Sequence, residues 1–171
     1  ALLGVWLALT SLSSVVLGDD RTADAILKDL DAAERPKLDR KVQDEAALKA
    51  YIEAARKYDR ERGRLIVELL NSHPDHPRLV GLLKERWSAR AVLVMSRPED
   101  LIQEVDRALT VLDDDELKAA GAFLKARAEM ELHDLAAAVA ALDEFAGRAP
   151  QDPRIPSLLY SIARATGDQT K

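Results

Sequence analysis

Residues 116–150 read ELKAAGAFLKARAEMELHDLAAAVAALDEFAGRAP, and this stretch decides the fold. From Glu116 to Leu132 almost every residue is a strong helix former, with no proline and no β-branched run. His133-Asp134 interrupts the pattern. Ala138, Leu142 and Phe145 then recur at helical spacing until Pro150, which cannot continue a helix. Two helices joined by so short a turn have to lie antiparallel. Ala126 and Ala138 let them lie close, because a methyl side chain keeps little bulk between two helix backbones. The expectation is an all-α chain built from antiparallel helical hairpins.

Working outward, the stretch has partial copies of itself. Asp100-Leu101 and Val105 recur 34 residues later as Asp134-Leu135 and Val139, Leu124 recurs as Leu158, and His133-Asp134 as Gly167-Asp168. A shared register of that length, with small residues at Ala126 and Ala138 and a closing Pro150, resembles the tetratricopeptide repeat. The resemblance implies a tetratricopeptide-like, right-handed array over residues 80–171, reading as truncated at its end. Its packing positions would be Trp87, Ala126, Ala138, Leu142, Phe145, Pro150 and Leu159. Leu158, Leu159 and Ile162 would belong to the first helix of a further unit, ended by Gly167. Glu129 stands where the family favours an aromatic, and the unit between Trp87 and Asp114 keeps little of the pattern.

Upstream, residues 19–79 read as a separate N-terminal helical hairpin region. Thr22 opens an amphipathic segment with Ile26, Leu27 and Leu30 on one face, closed by Pro36. After a charged connector, residues 44–71 form the longest helical run. Leu48, Tyr51, Ile52, Ala55 and Tyr58 recur at spacings of three and four, as do Leu65, Ile66, Leu69 and Leu70, and Glu45–Lys49 and Glu53–Lys57 add supporting pairs. In its middle, residues 56–64 carry four arginines and a lysine with interleaved acids. The run invites a nucleic-acid reading, but a solvated helix middle accounts for it. Pro74 and Pro77 stop the helix. A shorter helix carrying Leu79, Leu82, Leu83 and Trp87 follows, and then an apolar patch at residues 91–95.

Composition narrows the function. The 171 residues are 47% hydrophobic and 32% charged, which supports a buried core rather than disorder, and aromatics at 4% do not suit a β-sandwich. Thirty acids against 25 bases give a net charge of -5, so a general phosphate-binding surface is not expected and nucleic acid is not an expected partner. Absence of cysteine removes disulfides, thiol nucleophiles and thiolate metal sites. Residues 1–18 carry no charge. They read as part of a secretory signal peptide, cleaved after Gly18 with small Val16 and Gly18 before the cut, and hence as the mark of an exported, periplasmic or cell-envelope protein. An uncleaved membrane anchor is the rival reading, since about 18 apolar residues just span a bilayer.

A second resemblance covers nearly all of residues 19–168. It rests on Ala23-Asp24-Ala25-Ile26-Leu27, on Pro36 and Asp39, on the charged helix ending Leu69-Leu70, on Pro74-Asp75-His76 leading to Glu85-Arg86-Trp87, and on residues 150–154 followed by Leu158-Leu159-Tyr160. These are similar to the N-terminal helical region of exported bacterial proteins that carry a thioredoxin-like (redoxin) domain downstream. The resemblance implies a non-catalytic accessory region. Thiol–disulfide oxidoreductase chemistry would belong to that covalently linked domain.

Individual constellations are weak. His73, Asp75 and His76 are the best metal-like cluster, but Pro74 and Pro77 splay the chain, and Asp75 suits the cap of the following helix. Residues 113–116 are four consecutive acids without the glycine or spaced ligands of a calcium loop, and they suit a helix N-terminus. Trp87, Phe145 and Tyr160 fit interhelix packing better than a ligand cage. No nucleophile elbow or phosphate-cradling glycine loop is present. No catalytic residue and no cofactor are therefore expected. The sequence leads to a scaffold that binds a protein or peptide partner, with a small exported metal-dependent enzyme using His73 and His76, or a membrane-tethered helical adaptor, as alternatives.

Overall fold

The computed structural model describes residues 21–38 and 44–169, and among them it is all helical, with eight helices and no strand. They are α1 (Ala23–Ala32), α2 (Glu45–Ser72), α3 (Leu79–Ser88), α4 (Arg90–Met95), α5 (Pro98–Val111), α6 (Asp115–Glu131), α7 (Leu135–Arg148) and α8 (Ile155–Gln169). The expected signal segment, Ala1–Gly18, and Asp39 of the connector lie outside the described residues. None of the described helices is long and apolar enough to cross a membrane.

Helix starts follow local chemistry. The side chains of Thr22, Asp44, Asp114 and Asp134 cap α1, α2, α6 and α7 by accepting a backbone N–H of the first turn. Pro98 occupies the first position of α5, where its missing N–H costs nothing. Helix α6 ends with His133 in the left-handed region (φ 61°). The Asp134 N–H reaches back to the Glu129 carbonyl at 3.0 Å, the six-to-one bond that closes a helix and usually uses glycine at the turning residue.

Helix α6 is central because it is apolar on two faces. Leu117, Leu124 and Ala128 join a core with Ile26 and Leu30 of α1, Leu65, Ile66, Leu69 and Leu70 of α2, Leu79, Leu83 and Trp87 of α3, and Leu101 and Val105 of α5. Ala122 and Ala126 face the other way, into a second core with Ala138, Leu142 and Phe145 of α7 and Leu158 and Ile162 of α8. The first core runs through the expected boundary at 79/80, so the hairpin region and the repeat region share one interior. Gly121 marks a close approach of α5 to α6: a Cβ there would lie 2.8 Å from Val105 Cγ1 and 3.2 Å from Leu109 Cδ1.

Several expectations need correcting. Leu159 and Tyr160 are not packing residues; they are 56% and 69% exposed, because the face of α8 turned to α7 carries Leu158 and Ile162 instead. Pro150 is exposed too: it lies past the α7 cap at Ala149 and redirects the chain without filling space. Gly167 does not end a helix, since α8 continues to Gln169. The Trp87-to-Asp114 unit keeps little pattern because the chain is extended at Ala89 (φ -75°, ψ 129°), which divides the segment into α3 and α4.

Candidate binding cleft between α2 and α5

The apolar stripe of α2 is longer than its core contact. Leu65, Ile66, Leu69 and Leu70 are buried, whereas Leu48 and Ile52 on the same face are exposed. Past the core, α2 and α5 face each other across an open cleft of about 1080 Å³, with α3 and α4 as its floor. Helix α2 contributes residues from Tyr58 to Asn71, including Gly63 and Val67, and α5 contributes Asp100, Gln103, Glu104 and Arg107. That volume lies at the upper end of ligand sites.

A buried polar node builds the floor. Glu104 is only 7% exposed and lies on the core side of α5. Arg86 of α3 donates to it through Nε (2.8 Å) and Nη2 (2.7 Å), and Trp87 Nε1 donates to the same Oε1 at 2.9 Å. The carboxylate thus answers one guanidinium and one indole, which makes its burial tolerable. The remaining Arg86 nitrogen, Nη1, reaches the surface of α2 at Gly63. A Cβ there would overlap Nη1 and lie 3.0 Å from Cζ, so only glycine admits the guanidinium.

Around this floor the lining holds seven arginines against four carboxylates, an excess of positive charge in a molecule whose net charge is -5. Some of the arginines are engaged in holding the fold. Arg62 bonds the Leu30 carbonyl and pairs with Glu85 at 2.7 Å. Arg64 pairs with Glu61 and Glu68, and its hydrogen bond holds the Glu61 carboxyl below the usual range. Arg35, Arg60 and Arg107 are exposed and make no pair with the protein, and neither do Asp59 and Asp100. The basic run at residues 56–64 is therefore one wall of a cleft as well as a solvated helix middle.

The residues singled out from sequence lie apart from this site or beneath it. His73 Nε2 meets the Arg21 carbonyl oxygen at 2.8 Å, tying α1 to the end of α2. His76 Nδ1 accepts the Arg78 N–H at 3.2 Å. The local contact expected of Asp75 is thus made by His76: Asp75 is exposed and caps nothing, and α3 starts without a side-chain cap. Among the described residues no three His, Asp or Glu side chains come together as a metal-binding group. The acids at 113–116 are occupied: Lys84 bonds Asp114 (2.9 Å) and Glu116 (2.6 Å), Lys118 bonds Asp113, and Asp114 caps α6. The Leu117 N–H, and then Lys84, hold the Asp114 carboxyl below its ordinary value.

Trp87, Ala126, Ala138, Leu142 and Phe145 are buried within the two cores. Phe145 stacks obliquely on Phe123 at 5.4 Å, and Arg154, itself held by Asp152, covers both rings. Sequence reasoning missed Gly63, Arg86, Glu104 and Arg107. The one local signal was a glycine in the middle of a long helix, a position that calls for close approach by something else.

Comparison with protein-family models, with curated proteins and with solved structures finds no match to this chain.

Proposed function

We propose that the protein is a non-catalytic interaction module that holds a segment of a partner protein in the cleft between α2 and α5. The observation that carries this reading is the cleft itself. Two long helices are kept apart over several turns by a buried Arg86–Glu104 bridge, leaving an open trough in which apolar side chains such as Val67 and Val92 lie beside that polar floor, between guanidinium walls. Apolar surface with a few fixed polar groups is what peptide grooves offer.

The test is selection from a random nonapeptide pool, repeated with Gln103→Trp. Gln103 is an exposed wall residue of α5, so the bulkier side chain obstructs the trough and spares the core. Enriched peptides that lose binding to the Trp variant are the expected result. No enrichment, or binding indifferent to the variant, would overturn the reading.

In its finer form the proposal takes α6, α7 and α8 as tetratricopeptide-like stacking. Burial of Leu124 and Leu158, which stand 34 residues apart, supports this. It also takes residues 1–18 as an export signal, and the module as accessory to a thioredoxin-like domain of the same polypeptide, which rests on the sequence resemblance. Coding DNA that continues past Lys171 into a Cys-x-x-Cys segment is the expected finding; a stop, or further helical repeats alone, contradicts the redoxin form.

A further inference from the structure

The cleft does not end at Tyr58. A smaller hollow of about 280 Å³ adjoins it, bounded by Tyr51, Ile52 and Ala55 of α2 and by Ala91 and Val94 of α4, and Asp59 and Ala91 belong to both. Its walls are mostly apolar, with Arg56 and Asp59 as the charged exceptions, and Val94, at 77% exposure, stands on its rim. The two hollows form one trough: an apolar end by α4, then a stretch rich in arginine between α2 and α5.

On this basis we propose that the partner segment is an extended peptide with carboxylates along its length and a bulky apolar side chain at one end. The inference deepens the interaction-module reading and rests on it. Arg35, Arg60 and Arg107 have no intramolecular partner, and Arg97 reaches Glu99 only at 3.7 Å, so four guanidinium groups are available to an incoming anion. Arg86, already neutralised by Glu104, takes no part except as floor. Asp59 and Asp100, the unpaired acids of the lining, interrupt the positive field and so favour spaced single carboxylates over a continuous phosphate backbone. From Tyr51 to Asn71 the helix rises about 30 Å, which matches roughly nine residues of extended chain. An apolar side chain near one end would fill the α4 hollow and set the register.

Three nonapeptide pools, labelled with rhodamine, test this by fluorescence anisotropy. Alternate positions are Glu, Gln or Lys in the respective pools, the other positions are randomised, and a nine-nucleotide oligothymidylate serves as a fourth probe. The Glu pool should bind at least about tenfold better than the Gln pool, and selected members should carry Leu, Ile or Phe at one end. Reversal of the two free arginines on the α2 and α5 walls (Arg60→Glu with Arg107→Glu) should weaken the Glu-pool complex by at least about tenfold, and Val94→Asp should weaken it several-fold. All three positions are exposed and leave the core intact.

Equal binding of Glu and Gln pools, lost in Gln103→Trp, would overturn the acidic assignment while the interaction reading stands. Binding of no pool at all would bring down both. Preference for the oligothymidylate would replace the peptide with a nucleic acid. Acid-selective binding unaffected by Val94→Asp would remove the apolar anchor from the proposal.

Discussion

Helices α6 and α7 meet through methyl groups, whereas α2 and α5 are held apart by a guanidinium. In the first pair Ala122, Ala126, Ala138 and Ala141 let the backbones close, and Phe145 and Leu142 fill what remains. In the second, the small residue Gly63 leaves room for Arg86. Small side chains thus have opposite consequences in the two regions. Where the facing residue is apolar they close an interface, and where it is a tethered cation they leave a trough with a charged floor. The first arrangement stabilises the fold, and the second is where the molecule keeps space for something else.

The contrast can be broken by substitution, and the largest effect is expected at the polar node. Glu104→Ala strands a largely buried guanidinium and the Trp87 N–H together, and should cost about 3 kcal/mol, read from urea unfolding. Glu104→Gln, which keeps an acceptor for the indole, should cost less. Next comes Ala138→Leu, which forces extra methylenes between α6 and α7 and should cost about 1–3 kcal/mol in the same measurement. If the α6–α7 interface tolerated that change while Glu104→Ala were neutral, the two regions would not differ as described.

Removing the Asp114 cap should cost about 1 kcal/mol at neutral pH, through the lost Leu117 bond and the lost Lys84 pair. The pH dependence has a definite sign. The folded protein holds the Asp114 carboxyl below its ordinary value, so its stabilisation is complete above that value and disappears as pH falls through the lower one. The stability gap between wild type and Asp114→Ala should therefore begin to narrow only as pH falls below about 4, and close at still lower pH. The smallest effect belongs to Glu129, where burial, with Asp134 and Asp106 adding repulsion, pushes the carboxyl up. A raised carboxylate destabilises the fold while ionised and ceases to do so once protonated. Glu129→Gln should stabilise by a few tenths of a kcal/mol at pH 7 and have no effect at low pH, seen in thermal melts at both.

Legibility in the sequence followed the range of the interactions. The hairpin over residues 116–150 was readable to within a residue or so, because caps, turn residues and helical periodicity are all local. The long α2 was readable for the same reason, with Asp44 in front and Pro74 behind. The cleft was not, because it depends on partners far apart in sequence: Arg86 with Glu104, and Gly63 against Arg86. On a helix wheel, Arg60, Gln103 and Arg107 look like any solvated face. Leu159 and Tyr160 misled for a related reason, since periodicity marks an apolar face without saying which of two adjacent stripes meets a neighbour. Asp75 shows the limit even of local rules, because His76, one residue later, makes the contact its position suggested.

The central claim is that the trough between α2 and α5 is the binding surface. Titration of the ¹⁵N-labelled protein with an acidic nonapeptide from the Glu pool, followed by amide chemical shifts, tests it most directly. The account predicts shifts concentrated at Arg60, Gly63, Val67, Gln103 and Arg107, with α7 and α8 unmoved. Shifts centred on α7 and α8, or none along the trough at saturating peptide, would contradict it.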